Sequence, residues 1–219
     1  TGSIQSVRLD YSVNSGIDYP YPITSTTPAT SSLKAGNVYY GSFIWNNLPN
    51  IVGDTLRVRV KTVDTDWQNI DAQSVDFKVR GKLSVTYPND SGITLTVGTK
   101  ITITWNTTGT VNNVELKYSL DGGLDNYPYL IATGIANTGK YPADGSGWTI
   151  PNNISKQCKI RVESLDHPAD DPDVNGVSAN NFTIRGGLNI TQPVSSDIWS
   201  VGQTNTIIWD VIGSVGNVI

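Results

Sequence analysis

Side chains able to do chemistry are few in this chain, and their placement is uneven. His167 is the sole histidine and Cys158 the sole cysteine among 219 residues. Ser-His-Asp relays, Cys-His pairs and zinc cages of His or Cys therefore lack their parts. His167 sits in an acidic, proline-containing stretch and reads as a solvated loop residue. Cys158 shares its phase with Ile160 and Val162, which suits a small buried hydrophobe better than a nucleophile. The acidic stretch supplies Asp166, Asp170, Asp171 and Asp173, with Asn175 close behind. Hard oxygen ligands of this kind suit calcium, although the spacing is not that of an EF-hand loop. An acidic loop facing water is the plainer reading, and both stand. Asp64, Asp66 and Asp71 form a thinner version nearer the start.

Two tyrosine clusters recur, Asp18-Tyr19-Pro20-Tyr21 and Asp125-Asn126-Tyr127-Pro128-Tyr129. Tyr19, Tyr21, Tyr127 and Tyr129 could stack on sugar rings or a partner chain. Alternatively they cap the fold, rings buried and hydroxyls wet. Asn-x-Ser/Thr acceptors stand at Asn89, Asn106, Asn153, Asn181 and Asn189. That number is no more than chance gives in a chain so rich in Asn, Ser and Thr, and it is compatible with a glycosylated surface protein. No pair of carboxylates is singled out for glycoside hydrolysis, and no Gly-rich phosphate loop joins a strand to a helix. The expectation is a protein without catalysis and without a cofactor, calcium excepted.

The elements that must position these residues are strands. Of 19 acidic residues only Glu115 and Glu163 are glutamates, and the aspartates that remain are turn and cap formers. With 21 Gly and 11 Pro the composition favours strands and turns over helices. A net charge of −4 argues against nucleic acid, whose phosphates it would repel. No apolar run reaches the length of a membrane-spanning helix. Methionine is absent throughout, which leads us to expect a processed chain or a segment of a longer one.

Period-two alternation marks the strands. Val114, Leu116, Tyr118 and Leu120 alternate with polar neighbours, as do Val7, Leu9, Tyr11 and Val13. Leu56, Val58 and Val60 oppose Arg57, Arg59 and Lys61; Cys158, Ile160 and Val162 oppose Lys159, Arg161 and Glu163. One apolar and one polar face per strand predicts antiparallel sheets packed as sandwiches. Segments also repeat. Phe77-Lys78-Val79-Arg80-Gly81 returns as Phe182-Thr183-Ile184-Arg185-Gly186, and Val97-Gly98 with Trp105 returns as Val201-Gly202 with Trp209. The offsets of about 102 to 108 residues match one β-sandwich domain. Residues 1–80 then read as a repeat lacking its opening strands, 81–186 as a complete repeat, and 187–219 as the opening strands of a third.

The middle repeat carries Pro88, Gly92, Val97-Gly98, Ile103-Thr104-Trp105, Gly109 and Val114. It continues with Ser119-Leu120-Asp121-Gly122-Gly123, Tyr141, Trp148-Thr149-Ile150-Pro151, Cys158-Lys159-Ile160-Arg161-Val162 and Phe182-Thr183-Ile184. This series resembles the immunoglobulin-like repeat of microbial cell-surface proteins, related to the Ser/Thr-rich cell-wall family. Leu95 departs from the pattern where Trp199 keeps it, and Leu56 stands where the middle repeat has Cys158. The resemblance implies tandem immunoglobulin-like antiparallel β-sandwiches, all-β, in a secreted protein of structural or adhesive duty. The leading expectation is a repeat segment of an extracellular, cell-surface assembly of surface-layer, sheath or stalk type. Its partners would be other copies of itself or neighbouring repeats. An adhesin or carbohydrate-binding accessory module that meets surface glycans is the alternative. A filament subunit completed by strand exchange is a further one.

Overall fold

A computed structural model of the chain describes residues 4–29, 32–35, 38–67, 70–166 and 174–214. The chain divides into two compact units, Thr1–Gly81 and Lys82–Ile219. In the first unit the strands are β1 (Ser6–Ser12), β2 (Tyr21–Pro28), β3 (Ser32–Ala35), β4 (Val38–Tyr40), β5 (Gly53–Thr62), β6 (Asp71–Gln73) and β7 (Phe77–Val79). One sheet runs β2-β1-β5-β6, with β7 also on β5, and β3 pairs with β4. All these pairings are antiparallel. The apolar phase of β1 and β5 forms a single face because Leu9 lies opposite Val60 and Tyr11 opposite Val58.

The second unit begins with β8 (Lys82–Tyr87), β9 (Thr94–Thr96), β10 (Lys100–Ile101), β11 (Ile103–Thr108), β12 (Asn113–Ser119) and β13 (Tyr129–Ala136). It continues through β14 (Lys140–Tyr141), β15 (Trp148–Thr149), β16 (Ser155–Ser164), β17 (Asn175–Val177) and β18 (Phe182–Arg185). One layer is β14-β11-β8; the other is β13-β12-β16-β18-β9, with β17 on β16. Among the described strands of this unit, β9 alone pairs parallel, along β18. This order, with β12, β16 and β18 at the centre of one layer, is that of an immunoglobulin-like sandwich. The layers meet in a closed core. Leu83, Val85, Ile103 and Trp105 come from one side; Val114, Leu116, Cys158, Ile160 and Val162 come from the other. Two polar groups inside are satisfied. The Ser178 hydroxyl donates to the Pro88 carbonyl (2.9 Å) and accepts the Ile160 N–H (3.0 Å), while Trp105 Nε1 donates to Asn137 Oδ1 (2.7 Å).

The same unit ends in β19 (Gly187–Gln192) and β20 (Ile208–Ile212), an antiparallel pair of its own. Its register repeats that of β8 and β11. Ile190 faces Trp209 as Val85 faces Trp105, and Leu188 faces Val211 as Leu83 faces Thr107.

The strand phases read from the sequence hold, but two residues expected on the buried phase are not buried: Val60 on β5 and Val13 after Tyr11 are each 39% exposed. Strand β1 stops at Ser12, and the buried Ser12 hydroxyl accepts the N–H groups of Asn14 (3.2 Å) and Gly16 (2.9 Å), which bends the chain outward. Helix is limited to one short 3-10 turn, Thr65–Trp67, among the described residues.

Candidate functional site

The two tyrosine clusters fold the same way in both units. After β12 the Ser119 hydroxyl accepts the N–H groups of Asp121 (3.2 Å) and Gly123 (2.8 Å) and donates to the Asp121 carboxylate (2.8 Å). After β1, Ser12 makes the matching set with Asn14 and Gly16. Glycine is required at the end of each turn. Gly123 has φ +95°, and a Cβ there would lie 2.6 Å from the Tyr127 hydroxyl; at Gly16 it would lie 2.8 Å from that of Tyr19. The Asp121 carboxylate is opposed by desolvation, yet hydrogen bonds from Ser119 and from the N–H groups of Asp125 and Leu124 prevail and hold its pKa down.

Within each cluster the tyrosines part to opposite faces. Tyr127 turns to the outer face, where the Arg161 guanidinium lies 5.8 Å from its ring centre; Arg59 lies 4.4 Å from that of Tyr19. Burial raises the pKa of the Tyr127 hydroxyl, against the lowering effect of Arg161. Tyr21 and Tyr129 turn the other way and stack on the core tyrosines Tyr11 (4.8 Å) and Tyr118 (4.9 Å). A tryptophan completes each group: Trp45 at 5.2 Å from Tyr11 and Trp148 at 5.5 Å from Tyr118. Of the four, only Tyr127 has the buried ring expected of a cap; Tyr21 and Tyr129 stack on core tyrosines but remain 42% and 37% exposed, and Tyr19 lies half-buried over Arg59. In every case a neighbour within the unit already lies against the ring. Trp45 escaped the sequence reading because Trp45 to Pro49 is one residue longer than Trp148 to Pro151.

The outer faces carry ion pairs whose signs are exchanged between units. Asp10, almost wholly buried, is held by Arg8 and Arg59, each at 3.0 Å. At the matching positions Lys117 pairs with Glu115, lies 4.0 Å from Glu163, and Glu163 meets Arg161 at 3.1 Å. The register explains the exchange. Arg8 stands opposite Lys61 and Glu115 opposite Glu163, so each like-charged pair needs an opposite charge beside it. Burial works to raise the Glu115 pKa, but hydrogen bonds from Lys117 and Thr133 outweigh it and leave the value lowered.

The remaining candidates are dispersed. Both oxygens of Asp166 accept backbone N–H groups, one from Asn112 and one from Asn113 (3.1 Å). One oxygen of Asp64 accepts the Gln5 N–H (2.6 Å). These carboxylates tie the acidic loop to the start of the neighbouring strand. Asp170, Asp171, Asp173 and His167 lie outside the described residues. Among the described residues no three His, Cys, Asp or Glu side chains converge. Cys158 is wholly buried, and desolvation raises its thiol pKa. Of the asparagine acceptors, Asn106, Asn181 and Asn189 are exposed, whereas Asn89 and Asn153 are half-buried. Asn153 Nδ2 donates to the Tyr118 hydroxyl (2.7 Å), and Asn89 Oδ1 accepts the Ala179 N–H (2.7 Å). No helix among the described residues is long and apolar enough to cross a membrane.

A last feature is apolar. In the first unit a groove of about 360 Å³ opens over Val7, Leu9, Pro28, Phe43, Val58 and Val60. Val60 is 39% exposed there, whereas Val162 at the equivalent place is fully buried.

No family model matches the chain, and no curated protein matches it. Among solved structures it is similar to a chimeric titin Z1Z2-Z1Z2 tandem functionalized with a GRGDS exogenous peptide from fibronectin. That match has 16% identity, covers 84% of this chain and 87% of that one, and has a TM-score of 0.27. The strand order and the repeated loops define the chain by themselves as a tandem of immunoglobulin-like β-sandwich modules.

Proposed function

We propose that this chain is a structural, non-catalytic segment of a tandem array serving a secreted, cell-surface assembly of surface-layer, sheath or stalk type. One observation carries the reading: what the two units share closes loops and covers sheets. The serine-centred turn, the Tyr-Tyr-Trp group and the tyrosine over arginine all recur, and each is engaged by neighbours within its own unit. A catalytic or ligand-binding module would instead gather polar groups in one pocket. The outer faces keep their ion pairs while exchanging signs, which preserves a stiff sheet and lets neighbouring blocks differ in surface charge. Secretion and placement at the cell surface follow from the resemblance of the middle repeat to immunoglobulin-like repeats of microbial surface proteins. Electron microscopy of the concentrated chain tests the proposal. Ordered sheets or rods are expected, and a dispersion of unconnected particles at every concentration would count against it.

A further inference from the structure

We propose that Asn152 is a clasp that fixes the angle at which the β19–β20 pair leaves the middle sandwich, and so the angle between successive repeats. Strands β19 and β20 repeat the register of β8 and β11, the strands with which the middle sandwich opens. Their covalent tie to that sandwich is short and soft: Gly186 alone separates Arg185, the end of β18, from Gly187, the start of β19. Two successive glycines by themselves would let the pair swing. An open groove of about 530 Å³, bounded by Thr96, Arg185, Leu188 and Ile212, leaves room for it to tilt.

A second attachment opposes that swing. In the turn after β20 the Ser214 N–H donates to Asn152 Oδ1 (2.8 Å), and Asn152 Nδ2 donates to the Ser214 hydroxyl (2.8 Å). Gly213 lets the turn come this close. Its φ is +80°, and a Cβ there would lie 3.0 Å from Asn152 Oδ1 and 3.0 Å from Val97 Cγ2. The platform beneath Asn152 is rigid, because buried Ile150 is tied to the turn between β9 and β10. The Gly98 N–H donates to the Ile150 carbonyl (2.9 Å), and the Ile150 N–H donates to the Thr99 carbonyl (2.8 Å). The Val97 N–H in turn donates to the Arg185 carbonyl (2.9 Å), so clasp and linker share one frame. Held at the start of β19 and again past the end of β20, the pair loses the free swing that one tie would allow. Both halves of the clasp recur in the sequence, since Pro49-Asn50 matches Pro151-Asn152 and Gly109-Thr110 matches Gly213-Ser214.

This inference deepens the proposed structural role and rests on it only in taking a set angle as useful to an array. The test is pulsed electron double resonance on the full chain, with spin labels at Asn106→Cys on β11 and Asn189→Cys on β19. Both sites are exposed, whereas the native Cys158 is buried and stays unlabelled. With Asn152 in place the distances should form one narrow distribution. Asn152→Ala removes both hydrogen bonds and should lower the ratio of seated to swung-out molecules about tenfold, which broadens the distribution. Asn152→Asp keeps an acceptor for the Ser214 N–H and should stay close to the narrow form. Asn152 is exposed, so neither change should move the melting of the middle sandwich. A broad distribution with Asn152 present overturns the proposal. So does an alanine variant as narrow as its parent, or an aspartate variant as loose as alanine. Should circular dichroism show Asn152→Ala altered, Gly213→Val repeats the test from the other side of the clasp. A loose joint in the parent sinks the clasp and leaves the array role standing; a fixed joint without sheets or rods in micrographs sinks the array role alone.

Discussion

Val60 and Val162 are the same residue at the same ladder position, opposite Leu9 and Leu116, yet one is 39% exposed and the other fully buried. Alanine at either position removes two carbons. At Val162 the transfer contribution is about 0.8 kcal/mol per carbon, or about 1.6 kcal/mol. The cavity left in a closed core raises the loss to about 2–3 kcal/mol. At Val60 much of the side chain already meets water and no closed cavity forms, so the loss should stay below about 1 kcal/mol. One kcal/mol lowers the Tm of a domain this size by about 4–8 °C. Scanning calorimetry on dilute protein should therefore show the middle unit of Val162→Ala melting at least about 8 °C lower. The first unit of Val60→Ala should shift by less than that. Equal losses at the two positions would mean that Val60 is packed as tightly as Val162, and the reasoning from an open valine face would fail.

Three further outcomes are expected. Asp121 has a folded pKa below its unfolded value, so its contribution is present above about pH 4 and is lost as pH falls through the folded value. Asp121→Asn, which copies Asn14 of the first unit, should flatten the acid dependence of the middle unit's Tm without dismantling the turn; an unchanged acid profile would contradict this. Ser178→Ala leaves the buried Ile160 N–H without its 3.0 Å acceptor and should cost about 1–3 kcal/mol in urea unfolding. In a glycosylating host, mass spectrometry should find glycan at exposed Asn106 and none at Asn153, whose Nδ2 is committed to Tyr118; the reverse pattern would refute the accessibility argument.

Much of the fold was legible because its signals are local. Alternation placed Leu56 and Cys158 on the inward phase, and both are buried. The turns after Ser12 and Ser119 were marked by glycine, which the left-handed backbone at Gly16 and Gly123 requires. Aspartate, read from composition as a turn former, does that work at Asp121. The repeated tyrosines signalled a shared role without saying which.

Tertiary structure decided the rest, since it depends on partners far along the chain. Tyr19 and Tyr127 cover arginines because the sheet brings Arg59 and Arg161 beneath them, and no spacing rule reports that. Trp45 joins Tyr11 despite an insertion that hides it from alignment. The exchanged charges of Asp10 and Lys117 look like drift in sequence, and only the strand register shows that each completes an ion-pair group. Sequence alone determined which side of each strand is apolar, because successive side chains alternate across the backbone. Whether that side is sealed or open was decided by the layer above it, which is why Val162 is buried and Val60 is not.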